Sequence, residues 1–471
     1  MKKFVLILCV FFIFSAFFPS VLTAGEAQKS SEDIQTDVIS GPRQWWLPAG
    51  EILLLNGVLG AANYYIGGRS WAKIGTASII ENFELGFDWD TDGFPCNMLD
   101  HPYHGAMFYS MGRSMGYSFW ESSLFPLLGA LQWEYFMETE RPSTNDLIMT
   151  AIGGPFFGEI LFRSAVELLR APENGTNGVG VGLAAFIASP PLWANRWLYG
   201  DKISFYEGPS PFRYVRMGAG IGNAQSRGRM EERYNPILFI EAQYDHDSGD
   251  GRVRPFDYFT FDAQAEQIKN GNVLKRIETN GILIGSRRPL FNADRSVSGL
   301  FASYDYMEGL WYDRFANVGV GPGMFLEYEK GASRWELFSG IYAIFGGASA
   351  RYALIYGDTP YEDKDETYHF GSELQNGAYY LGPGFMTLAH VSYSKKCFSL
   401  EAGLRQFWVS SVHATDANEW GYFFPVKLSV KTGAVMTSLE YEFIHRHSFY
   451  DDYTPLYNDA FTLKLLLGYL L

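Results

Sequence analysis

Leu439-Glu440-Tyr441-Glu442-Phe443 alternates apolar and acidic residues one for one, and Val426-Lys427-Leu428-Ser429-Val430-Lys431 repeats the pattern with basic and hydroxyl residues. A period of two sends successive side chains to opposite faces of a strand. The same alternation runs through Leu238, Ile240, Ala242 and Tyr244, through Leu300, Ala302, Tyr304 and Tyr306, and through Leu400, Ala402 and Leu404. A last run carries Leu463, Leu465, Leu467, Tyr469 and Leu471. About twelve such segments, each of roughly nine to eleven residues, follow one another from Phe212 onward, the length a tilted membrane strand needs. A soluble sandwich alternates too, but number, length and unbroken succession point to an antiparallel transmembrane β-barrel of about 12 strands. Its apolar positions, such as Leu400, Ala402 and Leu404, then face lipid. Cys397, of opposite parity, is expected in the lumen.

Composition agrees. Aromatic residues make up 17% of the 471-residue chain, with 50 Gly, as aromatic girdles and tight turns require. The net charge of −15 excludes non-specific nucleic-acid binding, which needs basic surface to neutralise phosphate. Lys2 and Lys3 followed by apolar Phe4 to Phe18 read as a secretory signal peptide over residues 1–24, with a cut after Ala24 or Ala27. Residues 25–44 read as a disordered leader. The expected location is the outer membrane of a bacterial cell, with its lipid bilayer as partner.

Between leader and barrel, residues 45–205 read as a helical module, so the fold class is α+β, with the barrel at 206–471. A helix is expected from about Ala49 to Tyr64. Ser110, Ser114, Tyr117 and Glu121 recur at spacings that share one helix face. Pro126 and Gly129 suggest a break after it. Ser143 with Asp146 fits a capping box opening a helix to about Leu169, kinked at Gly153-Gly154-Pro155. Residues 172–210 read as a Gly/Pro-rich connection, which leaves three to five short helices.

The chemistry-bearing residues fall in this module. Asp88, Asp90 and Asp92 with Gly93 have the spacing of half a calcium loop, but Leu99 stands where the closing Glu belongs. Calcium is the cofactor this spacing allows; an Asp-rich turn is the other reading. His101 and His104 beside Asp100 suit zinc or iron, although Pro102 between them spoils a helical ligand pair. Arg113, Glu134, Asp146, Glu159 and Arg163 lie in apolar helical sequence, where a charge is costly unless paired. Glu159 and Arg163, four apart, can pair within one helix. These charges either form a structural network or line a pocket with Glu134 or His104 as acid or base.

The ordered motifs His101-Pro102-Tyr103-His104-Gly105, Arg113-Ser114-Met115-Gly116, Trp133-Glu134, Pro142 to Asp146, Gly158-Glu159 and Asn195-Arg196 resemble the uncharacterised bacterial family called domain of unknown function 3943, over about residues 45–200. The resemblance implies a bacterial envelope protein and brings no established activity. The leading expectation is an outer-membrane barrel with a helical plug or cap, serving envelope structure or restricted transport. One alternative is an envelope hydrolase acting on lipid or glycan from the charged helical cluster. Another is a soluble periplasmic binding protein.

Overall fold

The computed structural model describes residues 38–89, 92–170, 179–226, 229–230, 234–247, 253–266, 274–308, 314–349, 379–412, 417–450 and 455–470. The expected signal peptide and most of the expected leader lie outside them. The chain divides into two units, one ending at Pro209 and one beginning at Ser210.

The first unit is the helical module. Its ends are held together by β1 (Ile39–Ser40), which pairs antiparallel with β2 (Ser204–Phe205). Between them run α1 (Trp46–Tyr65), α2 (Thr76–Leu85), α3 (His101–Ser114), α4 (Phe119–Ser122), α5 (Leu124–Phe136), α6 (Thr144–Ile148), α7 (Gly154–Arg170), α8 (Val179–Ala188) and α9 (Pro190–Tyr199). Seven of these have ten or more residues, against the three to five expected. The shortfall came from reading residues 172–210 as a connection. Pro190 and Pro191 in fact open α9, where their missing N–H groups would have had no intrahelical partner, and Ser189 Oγ accepts the Leu192 amide.

The break after α3 also falls elsewhere than expected. The helix ends at Ser114, and Gly116 turns the chain at φ +83°. Ser118 and Glu121 then form a reciprocal capping box for α4, so Tyr117 and Glu121 leave the face that Ser110 and Ser114 share. Pro126 sits harmlessly in the first turn of α5. Gly129 lies mid-helix because a Cβ there would stand 2.5 Å from the Phe108 ring. The kink expected near Pro155 is a π-helical turn, Met149–Gly153, joining α6 to α7. α3 crosses the chain where this turn runs into α7, with Gly105 against Gly154, and any Cβ at either would collide with the opposing backbone.

The second unit is a closed antiparallel barrel. Its strands are β3 (Phe212–Ser226), the two-residue β4 (Arg229–Met230), β5 (Asn235–Asp245), β6 (Tyr258–Glu266), β7 (Leu274–Ser286), β8 (Arg295–Glu308), β9 (Arg314–Lys330), β10 (Ser333–Ser349), β11 (Tyr379–Lys395), β12 (Phe398–Ser410), β13 (Ala417–Thr432), β14 (Val435–Tyr450) and β15 (Leu456–Leu470). Leaving out β4, twelve strands pair in sequence order, and β15 returns to β3 along Ala460–Leu470 to close the sheet.

The alternation read from the sequence sorts side chains between the two faces. On β14 and β15, Leu439, Tyr441, Leu463, Leu465 and Leu467 are exposed, while Glu440, Glu442 and Lys464 are buried. Leu400 is exposed on the outer face and Glu401 turns inward. Cys397 does not reach the lumen. It lies exposed in the two-residue turn between β11 and β12, because the strand ends before its parity applies.

Candidate functional site

Glu159 is the centre of the module's charge. It projects from α7, fully buried, toward α3. Arg113 Nε donates to Glu159 Oε2 at 2.9 Å and Nη2 to Oε1 at 3.1 Å, a two-pronged pair. Arg163 Nε, one turn along α7, donates to Oε1 at 2.8 Å, and the Tyr109 hydroxyl to Oε2 at 2.6 Å. Arg113 Nη1 reaches the Tyr117 carbonyl at 2.7 Å. Burial and the adjacent carboxylate hold the Tyr109 hydroxyl well above its usual pKa, so it stays a donor. Both oxygens of Glu159 are therefore taken.

A second group links α3, α5 and α6. His101 Nε2 lies 3.4 Å from Asp146 Oδ2, and its Nδ1 lies 3.3 Å from Thr150 Oγ1. Asn145 Nδ2 donates to Asp146 Oδ1 at 3.1 Å, and the Ser143 amide donates to Glu134 Oε2 at 2.6 Å. His104 stands apart, tilted over Phe108 with ring centroids 4.4 Å apart and edge-on to Trp133. Its Nε2 is buried without a hydrogen-bond partner. Burial, reinforced by His101, lowers its pKa to about 3. The ring is thus neutral at pH 7 and suited to packing rather than proton transfer.

A third group was missed in the sequence. Asn195 Nδ2 donates to Ser114 Oγ at 2.8 Å and to Glu51 Oε2 at 3.1 Å, joining α1, α3 and α9. Burial raises the Glu51 pKa to about 7, with the Asn195 hydrogen bond opposing. A lone acid in an otherwise uncharged helix was the signal available.

The acidic stretch is spread out. Asp88 Oδ2 accepts from Arg141 Nη1 at 2.5 Å, and Asp92 Oδ2 lies 3.5 Å from Cys96 Sγ. Burial and the surrounding carboxylates push the Cys96 thiol far up, which keeps it protonated. Asp90 lies outside the described residues. Among the described residues, no three His, Cys, Asp or Glu side chains gather as metal ligands would.

The barrel lumen holds a larger constellation. Arg276 Nη1 (β7) meets Glu442 Oε1 (β14) at 2.5 Å, and Arg405 Nη1 (β12) meets Glu278 Oε2 (β7) at 2.9 Å. Both pairs join strands five places apart in a ring of twelve, nearly opposite each other. Four places apart, Lys427 (β13) pairs with Glu241 (β5), and Arg216 Nη1 (β3) reaches Glu401 Oε1 (β12) at 3.4 Å. Lys464 contacts Glu440 at 3.0 Å, and also Glu442. Asp245 collects Arg213, Arg287 and Arg295 toward the rim of short turns, and Glu419 takes Arg446 at 2.8 Å toward the other. An apolar cluster including Phe301, Phe325, Phe338, Tyr342 and Phe407 fills the side of the lumen beside these pairs. Between them lies a cavity of ≈ 160 Å³, lined by Tyr214, Tyr258, Arg276, His390, Glu401 and Lys427 among others.

Residues 86–191 match the family described as Domain of unknown function (DUF3943), from the turn before Asp88 to the first turn of α9. No curated protein matches. Among solved structures, similarity is found to the COG4313 outer membrane channel from Pseudomonas putida F1, with 9% identity over 55% of this chain and 96% of that one, at a TM-score of 0.26. The CymD monoaromatic hydrocarbon channel gives 7% identity over 55% and 88%, at 0.21. The outer membrane protease OmpT from Escherichia coli gives 10% over 55% and 97%, at 0.17. Scores this low carry no weight, and the barrel rests on its own strand pairing.

Proposed function

We propose that this protein is an outer-membrane β-barrel whose resting lumen is closed by its own ion pairs, serving restricted transport of small solutes rather than acting as an open pore. The observation that carries this reading is the set of charge pairs joining nearly opposite strands, Arg276 with Glu442 and Arg405 with Glu278. The membrane location is supported by the exposed Leu and aromatic side chains of β10 to β15, which a soluble binding protein would have to leave in water. The pairs border a cavity of ≈ 160 Å³, and a solute too large for it must first displace them. At the level of these pairs strand side chains fill the lumen. The short turns after β9, β11 and β13 mark the periplasmic rim.

For the module's Arg113, Glu134, Asp146, Glu159 and Arg163 we propose structural roles, since they are engaged with one another, with neighbouring side chains or with backbone. The hydrolase reading needs a free base, and neutral His104 is a poor one. Planar-bilayer recording tests the lumen reading. Wild type is expected to give little steady conductance, and the double variant Arg276→Gln with Glu442→Gln a larger one. A large, stable conductance of the wild type would overturn it.

A further inference from the structure

The helical module is inverted. Its central helix, α7, is buried from Gly154 to Leu168 and yet carries Glu159, Arg163 and Glu167. The helices around it do the opposite. On α1 the buried positions include Asn56 and Gly60, while Leu53, Leu54, Val58 and Tyr65 are exposed. α5 buries Gly129, Ala130 and Glu134 together with Phe125 and Trp133, and exposes Leu124, Leu127 and Leu128. α8 buries Ala184, Ala185 and Ala188 and exposes Val179, Leu183 and Phe186. None of these three helices has an exposed charged residue. In water such an arrangement wastes the hydrophobic effect. In lipid it is the favoured one: small residues let helices approach, buried polar groups hold them, and large apolar groups meet acyl chains.

We infer that the helical module seats its apolar helix faces in the lipid bilayer. The occupant is lipid rather than a protein for two reasons. Exposed Trp residues, Trp45 and Trp46 before and at the start of α1 and Trp197 near the end of α9, stand at helix ends, as interfacial anchors do. In addition, six residues (206–211) separate β2 from β3, a connector that spans no more than about 20 Å, so a bilayer holding the barrel is within reach. Among the described residues no helix is long and apolar enough to cross a membrane; the inferred seat is interfacial, with apolar helix faces buried in one leaflet. The identity of the membrane rests on the outer-membrane reading; the apolar seat does not.

The test uses the full chain in nanodiscs, with its three cysteines replaced by Ser and a single environment-sensitive fluorophore placed in turn at Leu54, Val58, Leu128 and Trp197. Leu465 on the barrel belt is the lipid reference and exposed Arg69 the aqueous one. The expected result is a blue-shifted emission at all four module positions, with loss of intensity to spin-labelled phosphatidylcholine as strong as at Leu465. Water-like emission at the module with a lipid-like Leu465 would overturn the inference and leave the barrel reading intact. Water-like emission at Leu465 as well would sink both. Blue-shifted emission that spin-labelled lipid does not quench would overturn the lipid seat in favour of a second copy of the chain.

Discussion

The helical module and the barrel both bury charge and expose leucine, but they secure the charge differently. In the module one carboxylate, Glu159, receives Tyr109, Arg113 and Arg163. In the barrel the charges are meshed: Arg276 faces Asp262, Glu278, Glu440 and Glu442, and Lys464 faces two of the same carboxylates. A hub fails with one residue. A mesh redistributes: without Arg276, Glu278 keeps Arg405, Glu440 keeps Lys427 and Lys464, and Glu442 keeps Lys275 and Lys464, so that of the four only Asp262 loses its ion pair. The difference follows from geometry: two crossing helices bring few side chains to one point, whereas a closed ring of strands aims many at a common axis.

The largest effect is therefore expected at the hub. Glu159→Gln removes the carboxylate that Arg113 and Arg163 share and should destabilise the module by about 3–5 kcal/mol. Hydrogen exchange read by mass spectrometry should speed up in α3 and α7 while β13 to β15 stay protected. Unchanged exchange in α7 would end the hub reading. Arg276→Gln should cost less, about 1–3 kcal/mol, since Lys275, Lys427 and Lys464 remain beside the carboxylates. The temperature at which the barrel loses its fast gel mobility should fall slightly; complete loss of the folded band would mean that the mesh has no redundancy.

A smaller, pH-dependent effect is expected at His104. Its pKa is depressed in the fold, so the unfolded chain binds the extra proton. The neutral ring's stability is present above the unfolded value and is lost as pH falls from about 6.5 toward 3. Melting followed between pH 7 and pH 4 should drop more steeply for wild type than for His104→Phe, and parallel curves would contradict the assigned burial. Smallest of all is Arg141→Ala. The Arg141–Asp88 pair is half exposed, so melting should change by less than about 1 kcal/mol. If the same variant instead made melting calcium-dependent, Asp88 would be a cation ligand once its arginine is gone.

The sequence by itself determined the barrel. One-for-one alternation, as in Leu463-Lys464-Leu465, has a period that only a strand has, and one buried face fixes its sense. It also determined the Glu159–Arg163 pair, a helix spacing of four. Tertiary structure alone decided the rest. Arg113 joins that pair because α3 crosses α7 at Gly105 and Gly154, a contact far apart in the chain. Arg276 meets Glu442 only because β15 closes onto β3 and brings distant strands face to face. α9 was hidden because proline opens a helix as readily as it ends one, and α8 because Gly180 and Gly182 weaken its helical signal. Which face of α1 looks outward was not legible either. A helix of Leu, Val, Gly and Ala with one acid has no polar side to mark water, so its neighbours decide which side is buried.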